Sequence, residues 1–342
     1  MIGEFRKLLR ALPATLVACL LDGEAVISQG AAQPLQLEAK IPLGNVAGRI
    51  DHMAIDLVRN RLFVAELGNN SVGVVDLVDR KVVHRLTGLK EPQGVAYVQA
   101  TDTLYVANRG DGSLRMFRGA DYAASGRLEL HSDADNIRFD RSANRILVGY
   151  GSGALAIIDA ASNSMLGSVP LKAHPESFQL DPATSDVFVN LPDERVVAVI
   201  DRTTGQQRYN WAMPHRGNFA MALDNEKGQV LIVFRDPAKL AAIAKQSGRL
   251  TSEADTCGDV DDLFVDAKQQ RIYISCGEGF IDVRDARDPA YPRLARVAAV
   301  SGARTSFFIP ESDRLVLAVR AQAGAPAAIW VYRVASEPTG AK

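Results

Sequence analysis

Residues 95–117 read VAYVQATDTLYVANRGDGSLRMF. A short apolar run, Val95-Ala96-Tyr97-Val98, is followed by a polar turn and a second run, Thr103-Leu104-Tyr105-Val106. The same pattern stands upstream as Met53-Ala54-Ile55-Asp56 followed by Arg61-Leu62-Phe63-Val64. It returns with turn residues at 140, 181, 224, 266 and 310. Counting from Asp56, the intervals are 42, 42, 41, 43, 42 and 44 residues. So regular a period over about 255 residues marks a repeat architecture.

Each unit holds two further strands. In the first unit they are residues 72–77 and 81–86, and in the third residues 154–159 and 165–171. Four short strands per 40–45 residues is the arithmetic of a propeller blade. Second strands such as Val230-Leu231-Ile232-Val233-Phe234 are apolar on both faces, as a blade sandwiched between neighbours requires. The seventh unit reaches only its third strand, residues 328–334. The alternating run at residues 35–43, LQLEAKIPL, is the natural fourth, paired beside Trp330. The fold class is therefore all-β: a seven-bladed β-propeller of four-stranded antiparallel blades, the last closed by the N-terminal strand. Closure removes exposed edges. No linker interrupts residues 33–342, which read as one domain.

The chain has 342 residues, 47% hydrophobic and 23% charged, with a net charge of -1. That composition excludes a disordered chain and gives no electrostatic footprint for nucleic acid. Residues 1–32 read as a signal peptide. Arg6, Lys7 and Arg10 precede an uncharged apolar run at residues 11–21, and Gly30-Ala31-Ala32 offers a small-residue cleavage site. Eleven residues are too few to span a bilayer. Leu16-Val17-Ala18-Cys19 also has lipobox residue types, so acylation at Cys19 is the alternative, and a retained amphipathic helix a third reading. The expected location is periplasmic or secreted. No later segment is apolar enough to span a membrane.

Tyr105-Val106-Ala107-Asn108 followed by Ser113-Leu114-Arg115-Met116-Phe117 resembles the YVTN-type repeat of exported bacterial seven-bladed propellers, and residues 35–334 resemble the YncE-like group. The resemblance implies the propeller fold and export. It leaves activity open, because the group includes binding proteins and relatives of lactonases, amine dehydrogenase large subunits and haem d1 domains.

Several motifs fail on context. Gly149-Tyr150-Gly151-Ser152-Gly153-Ala154 imitates a dinucleotide fingerprint, but another strand follows it and no helix N-terminus is available, so NAD is not expected. The absence of Cys-x-x-Cys-His rules out covalent c-type haem. There is no phosphate-binding Walker loop, no nucleophile elbow and no complete EF-hand. Cys257 and Cys276 fall at the same end of one hairpin in the sixth unit, where an oxidising compartment would permit a disulfide and free thiols are the alternative.

Aligning the units on their turn residues brings equivalent positions round the channel together. Five residues before the turn stand Asp51, Gln93, Asp135, Glu176, Phe219, Asp261 and Thr305. Seven before stand Arg49, Glu91, Asp133, His174, Gly217, Asp259 and Ala303. Positions two apart on a strand point the same way, so up to seven carboxyl groups are expected at one funnel. His52, Asn136, Asn218, Asp262 and Arg304 adjoin them, and His131 and His215 lie in the same connectors. The expected ligand-binding set is Asp51, His52, Gln93, Asp135, Asn136, His174, Glu176, Asn218, Asp261, Asp262 and Arg304. A divalent cation would draw on Asp51, His52, Asp135, Glu176 and Asp261, because crowded carboxylates repel unless a cation or proton joins them. The acid–base candidates are His174, Glu176 and His52. A purely structural network with Arg49, Arg109, Arg235 and Arg304 is the competing explanation. The expected function is binding of a small molecule, metal ion or protein partner at this mouth. The alternative is a metal-assisted hydrolase or lyase of the lactonase type, with a redox partner the weakest reading. Trp211 and Trp330 are expected to pack in outer strands.

Overall fold

The computed structural model describes residues 33–336; the basic and apolar segment read as a signal peptide lies outside them. Among the described residues 28 strands form seven four-stranded antiparallel sheets. Blade 1 runs outward through Met53–Asp56, Arg61–Glu66, Ser71–Asp76 and Lys81–Leu86. The innermost strands of blades 2 to 7 are Pro92–Val98, Ile137–Asp140, Phe178–Leu180, Arg216–Asp224, Val260–Asp266 and Ser306–Ile309. Each touches the next, and the last touches the first, so the blades close into a propeller around one channel.

The turn after the innermost strand has a common chemistry. The carboxylates of Asp56, Asp140, Asp181, Asp224 and Asp266 each accept a hydrogen bond from a backbone N–H two or three residues on, at 3.0–3.1 Å. This Asx arrangement fixes a tight reversal without a long loop. Val98 and Ile309, the equivalent residues by strand register, cannot make it. Their blades use single 3-10 turns, Gln99–Thr101 and Pro310–Ser312, each ended by an aspartate in the left-handed region: Asp102 at φ 48° and Asp313 at φ 52°. Two local chemistries thus serve one geometry. The seventh turn falls one residue before Pro310, so Arg304, rather than Thr305, stands level with Asp51 and Asp135.

The blades hold together by burial on both faces. Leu62, Val64 and Val75 of blade 1 pack with Ile41, Val316 and Ile329 of blade 7. Phe63, Ala65, Val72 and Val74, on the other face of blade 1, pack with Val95, Leu104 and Val106 of blade 2. The run Val230 to Phe234 is fully buried. The outermost strands are largely polar and exposed, and in blades 1 to 6 a register shift interrupts their pairing with the third strand. Such bulges twist an edge and discourage pairing with another chain. Trp211 lies in an outermost strand against Phe188, with ring centroids 5.4 Å apart. Trp330 lies in the third strand of blade 7 under the Lys40 ammonium. In blade 6, Cys257 and Cys276 form a disulfide with Cα atoms 5.8 Å apart.

Leu35–Gly44 pairs antiparallel with Ala327–Val334, Lys40 opposite Trp330, and completes the seventh sheet. No helix among the described residues is long and apolar enough to cross a membrane. Ile41 is buried in the core between blades 7 and 1, whereas Leu37 on the same strand is half exposed. Ile41→Ala should therefore cost about 2–5 kcal/mol of unfolding free energy, and Leu37→Ala about 1 kcal/mol or less. Equal costs in urea unfolding would show that this strand does not close the core.

A charged mouth above an apolar channel

Seven residues before each turn, the chain enters its blade through a repeated contact. The carbonyls of Arg49, Glu91, Asp133 and Asp259 accept the N–H groups of Gly68, Arg109, Gly151 and Gly277, at 2.8–3.1 Å. Glu91, Asp133 and Asp259 adopt φ of 47°, 37° and 54°, and Gly217 at the equivalent position has φ 67°. Aspartate and glycine tolerate this left-handed backbone better than most residues. Part of the acidic character at these connectors thus answers a backbone demand. Asp133 and Asp259 are well exposed, and Glu91 stays outside the channel cavities.

Two residues on, the side chains turn inward. Asp51, Gln93 and Asp135 are almost fully buried. Gly94 lets blades 2 and 3 approach closely, since a Cβ there would overlap the Asp135 carbonyl oxygen. His174 Nε2 lies 3.6 Å from Asp135 and its Nδ1 lies 2.6 Å from the Gly151 carbonyl. His52 Nε2 stands between Asp51 at 3.7 Å and Asp135 at 4.0 Å. A vestibule of about 170 Å³ is bounded by Gln93, Asp133, Asp135, His174, Glu176, Phe219, Asp261 and four arginines. Those arginines hold most of the acids. Arg49 pairs with Asp51 at 2.8 Å, Arg109 with Asp133 at 3.4 Å, and Arg304 with Asp261 at 2.7 Å. Arg235 also contacts Asp261, and its guanidinium lies 3.6 Å from the Phe219 ring centroid. Among the described residues no three His, Cys, Asp or Glu side chains gather so as to hold one metal ion. Of the set Asp51, His52, Asp135, Glu176 and Asp261, read from sequence as a cation site, Asp51 and Asp261 pair with guanidinium groups, while Asp135 lies beside His52 and His174.

Burial and neighbours displace the titrations here. Burial would lower the His174 pKa, but Asp135 and the Gly151 carbonyl outweigh it and raise it to about 9. Burial pushes Glu176 up to about 7, helped by Asp135. Burial pushes Asp51 to about 6 against the pull of His52 and Arg49, and Asp262 also to about 6. His52 is raised, because Asp51, Asp262 and Asp135 overcome its burial. Asp135 is lowered, because His174 and His52 overcome its burial.

The other expected site residues separate. Asn218 is fully buried and donates to Asn190 and to the Val196 carbonyl, so it ties blade 5 to blade 4. Asn136 is buried and accepts from Arg138. His215 faces away onto Glu253, and His131 is exposed. Asp262 and His52 face the channel below the vestibule. Asp262 accepts the Ser306 N–H at 2.8 Å.

That channel is a cavity of about 1030 Å³, and Asp261 borders both spaces. Its wall is mainly apolar: Ile55, Tyr97, Phe139, Leu223, Phe264 and Phe307 are partly exposed to it. The cavity extends to Leu57, Val58, Arg141 and Glu311 beyond the blade turns. Sequence reasoning missed this wall. Its signal was the residue just before each turn, large and apolar in Ile55, Tyr97, Phe139, Leu223 and Val265.

The His174–Asp135 pair carries a testable titration. A histidine whose pKa rises from 6.5 to about 9 on folding adds stability that is complete below pH 6.5. That stability is lost as the pH rises through about 9. The imidazole of His174, followed by NMR, should titrate near 9 and fall by one unit or more in Asp135→Asn. A value near 6.5 in the wild type would show that the pair does not form.

No family model matches the chain, and no curated protein does. Among solved structures, a chain of the one titled "Crystal Structure of Mitotic Checkpoint Complex" superimposes with a TM-score of 0.75. The match covers 93% of this chain and 99% of that one, at 13% sequence identity. In all, 1827 chains of solved structures match. A likeness so widely shared, at such low identity, shows the seven-bladed propeller fold alone.

Proposed function

We propose that this protein is an exported propeller that binds a small organic molecule in its central channel. The observation that carries the reading is the cavity of about 1030 Å³, whose large apolar side chains are half exposed toward a space without protein partners. Apolar surface left in such a space is unburied until something fills it. Ligand sites are typically concave, mostly apolar and set with a few polar groups. Here polar groups stand at both ends, His52, Asp262 and the charged vestibule at one and Gln99, Arg141 and Glu311 at the blade turns, with the apolar wall between them. Among the described residues no donor cluster supports metal-assisted hydrolase chemistry of the lactonase kind. The YVTN-type repeat and the basic-apolar N-terminal segment support export, and the Cys257–Cys276 disulfide suits an oxidising compartment.

Two measurements test the reading. Nile red, a neutral dye bright in apolar surroundings, should bind the full chain saturably at one site. Leu223→Trp, which fills the channel, should weaken it at least tenfold, whereas Leu166→Trp on an outer strand should not. Dye binding that is absent, or equal in the two variants, would sink the channel reading. Separately, a reporter active only outside the cytoplasm should give signal when fused to residues 1–40, and a silent reporter would reject export.

A further inference from the structure

Arg138 stands on the innermost strand of blade 3 and lines the channel. Its surroundings distinguish it from the arginines of the vestibule. Arg49, Arg109, Arg235 and Arg304 all have carboxylate partners. Arg138 has no ion pair among the described residues. Its Nη1 donates to Asn136 Oδ1 at 3.3 Å and to the Ile137 carbonyl at 2.8 Å, while Nη2 and Nε make no hydrogen bond among the described residues. The Phe178 ring, 5.5 Å from the guanidinium carbon, supports one side. Burial lowers the Arg138 pKa against the pull of Asp262 and Asp135, yet a guanidinium stays charged at any physiological pH. Arg138 is half-buried, with Asp262 and Asp135 near enough to act on it but no carboxylate paired to it. A partly desolvated charge without a paired counter-ion is costly, and the open channel is where one can enter.

We infer that the channel takes an apolar monocarboxylate, its carboxylate held by the free edge of Arg138 and its apolar body lying against Phe139, Leu223, Phe264 and Phe307. The inference rests on the channel reading above and names the ligand class. A guanidinium edge matches a planar carboxylate in two parallel hydrogen bonds. His52, also facing the cavity, is a second donor two strand positions nearer the vestibule. Asp262, three blades round the ring, sets the charge limit: a dianionic phosphate would meet it together with Asp51 and Asp135, whereas a single negative charge answers Arg138 alone. The apolar residues continue from this level toward the blade turns, so acid and body are separated along the channel axis.

The test uses three probes with one body: 6-phenylhexanoate, 6-phenylhexan-1-ol and 6-phenylhexylamine, titrated calorimetrically into the full chain at pH 7.5. The acid should bind at least tenfold more tightly than the alcohol. Arg138→Gln should reduce the acid to the affinity of the alcohol while leaving the alcohol unchanged, and Arg138→Lys should keep part of the preference. Should Arg138→Gln fail to fold, the wild-type series and Arg138→Lys decide. Alcohol binding as tightly as the acid overturns the inference and leaves the channel reading standing. A preference for the amine overturns it in favour of Asp262 as the anchor. Binding of none of the three also overturns it, and Nile red then judges the channel itself.

Discussion

Ring closure is the constraint on which the rest depends. A blade whose middle strands are apolar on both faces is not stable alone, since each face needs a neighbour. Seven such blades satisfy one another only if the first and last also meet, and they meet through the pairing of Leu35–Gly44 with Ala327–Val334. The core between Ile41, Ile329 and Val64 is then continuous across the junction of the chain's two ends. Closure has a second consequence. The innermost strands converge on an axis where no further strand can pair with them, so their free edges surround a void. The channel is a by-product of burying the blades, and its chemistry is free to vary.

The repeat made the fold legible. Turn residues at near-equal intervals marked the blades, and the one missing strand identified its own replacement. The two blades without a turn aspartate were legible by spacing alone, and in the seventh only to within one residue, because Val98 and Ile309 reach the same reversal through a different hydrogen-bonding pattern. The site was legible only in part. Alignment on the turns placed Asp51, Asp135, His174, Glu176 and Asp261 round one mouth, and the structure brings them there. It could not show which acids the backbone also selects. Asp133 and Asp259 occupy left-handed positions in which a short acidic side chain is tolerated, and glycine serves as well at residue 217. Nor could it separate Asp261 from Asp262, successive residues on one strand of which Asp261 borders both spaces and Asp262 the channel. The apolar wall escaped because half-exposed Ile55, Phe139 and Leu223 are indistinguishable by type from core.

The mouth is better described as a neutralised charge layer than as an acidic funnel. Each deeply buried carboxylate has a cation nearby, yet few are closely hydrogen-bonded. His52 lies near the outer limit of an ion pair with both Asp51 and Asp135. Burial, opposed only in part by these cations, pushes Asp51, Asp262 and Glu176 toward neutral pH. A divalent cation would have to displace Arg49 from Asp51, and Arg235 and Arg304 from Asp261.

Rigidity and chemistry are assigned to different parts of each blade. The middle strands carry the packing, and their residues are closely constrained. The innermost strands turn side chains to the cavity from successive positions, and the mixture of small and large residues there shows that the fold leaves room for change. Substitutions there would alter what the channel accepts without opening the ring. Arg138 illustrates the point. It replaces the alanine that stands at the equivalent position in blades 1, 2 and 5, Ala54, Ala96 and Ala222. Three blades tolerate a methyl group at this level, so the fold does not require a guanidinium there. On the proposal above, this guanidinium, held on one edge and free on the other, is the part of the wall that a ligand would use.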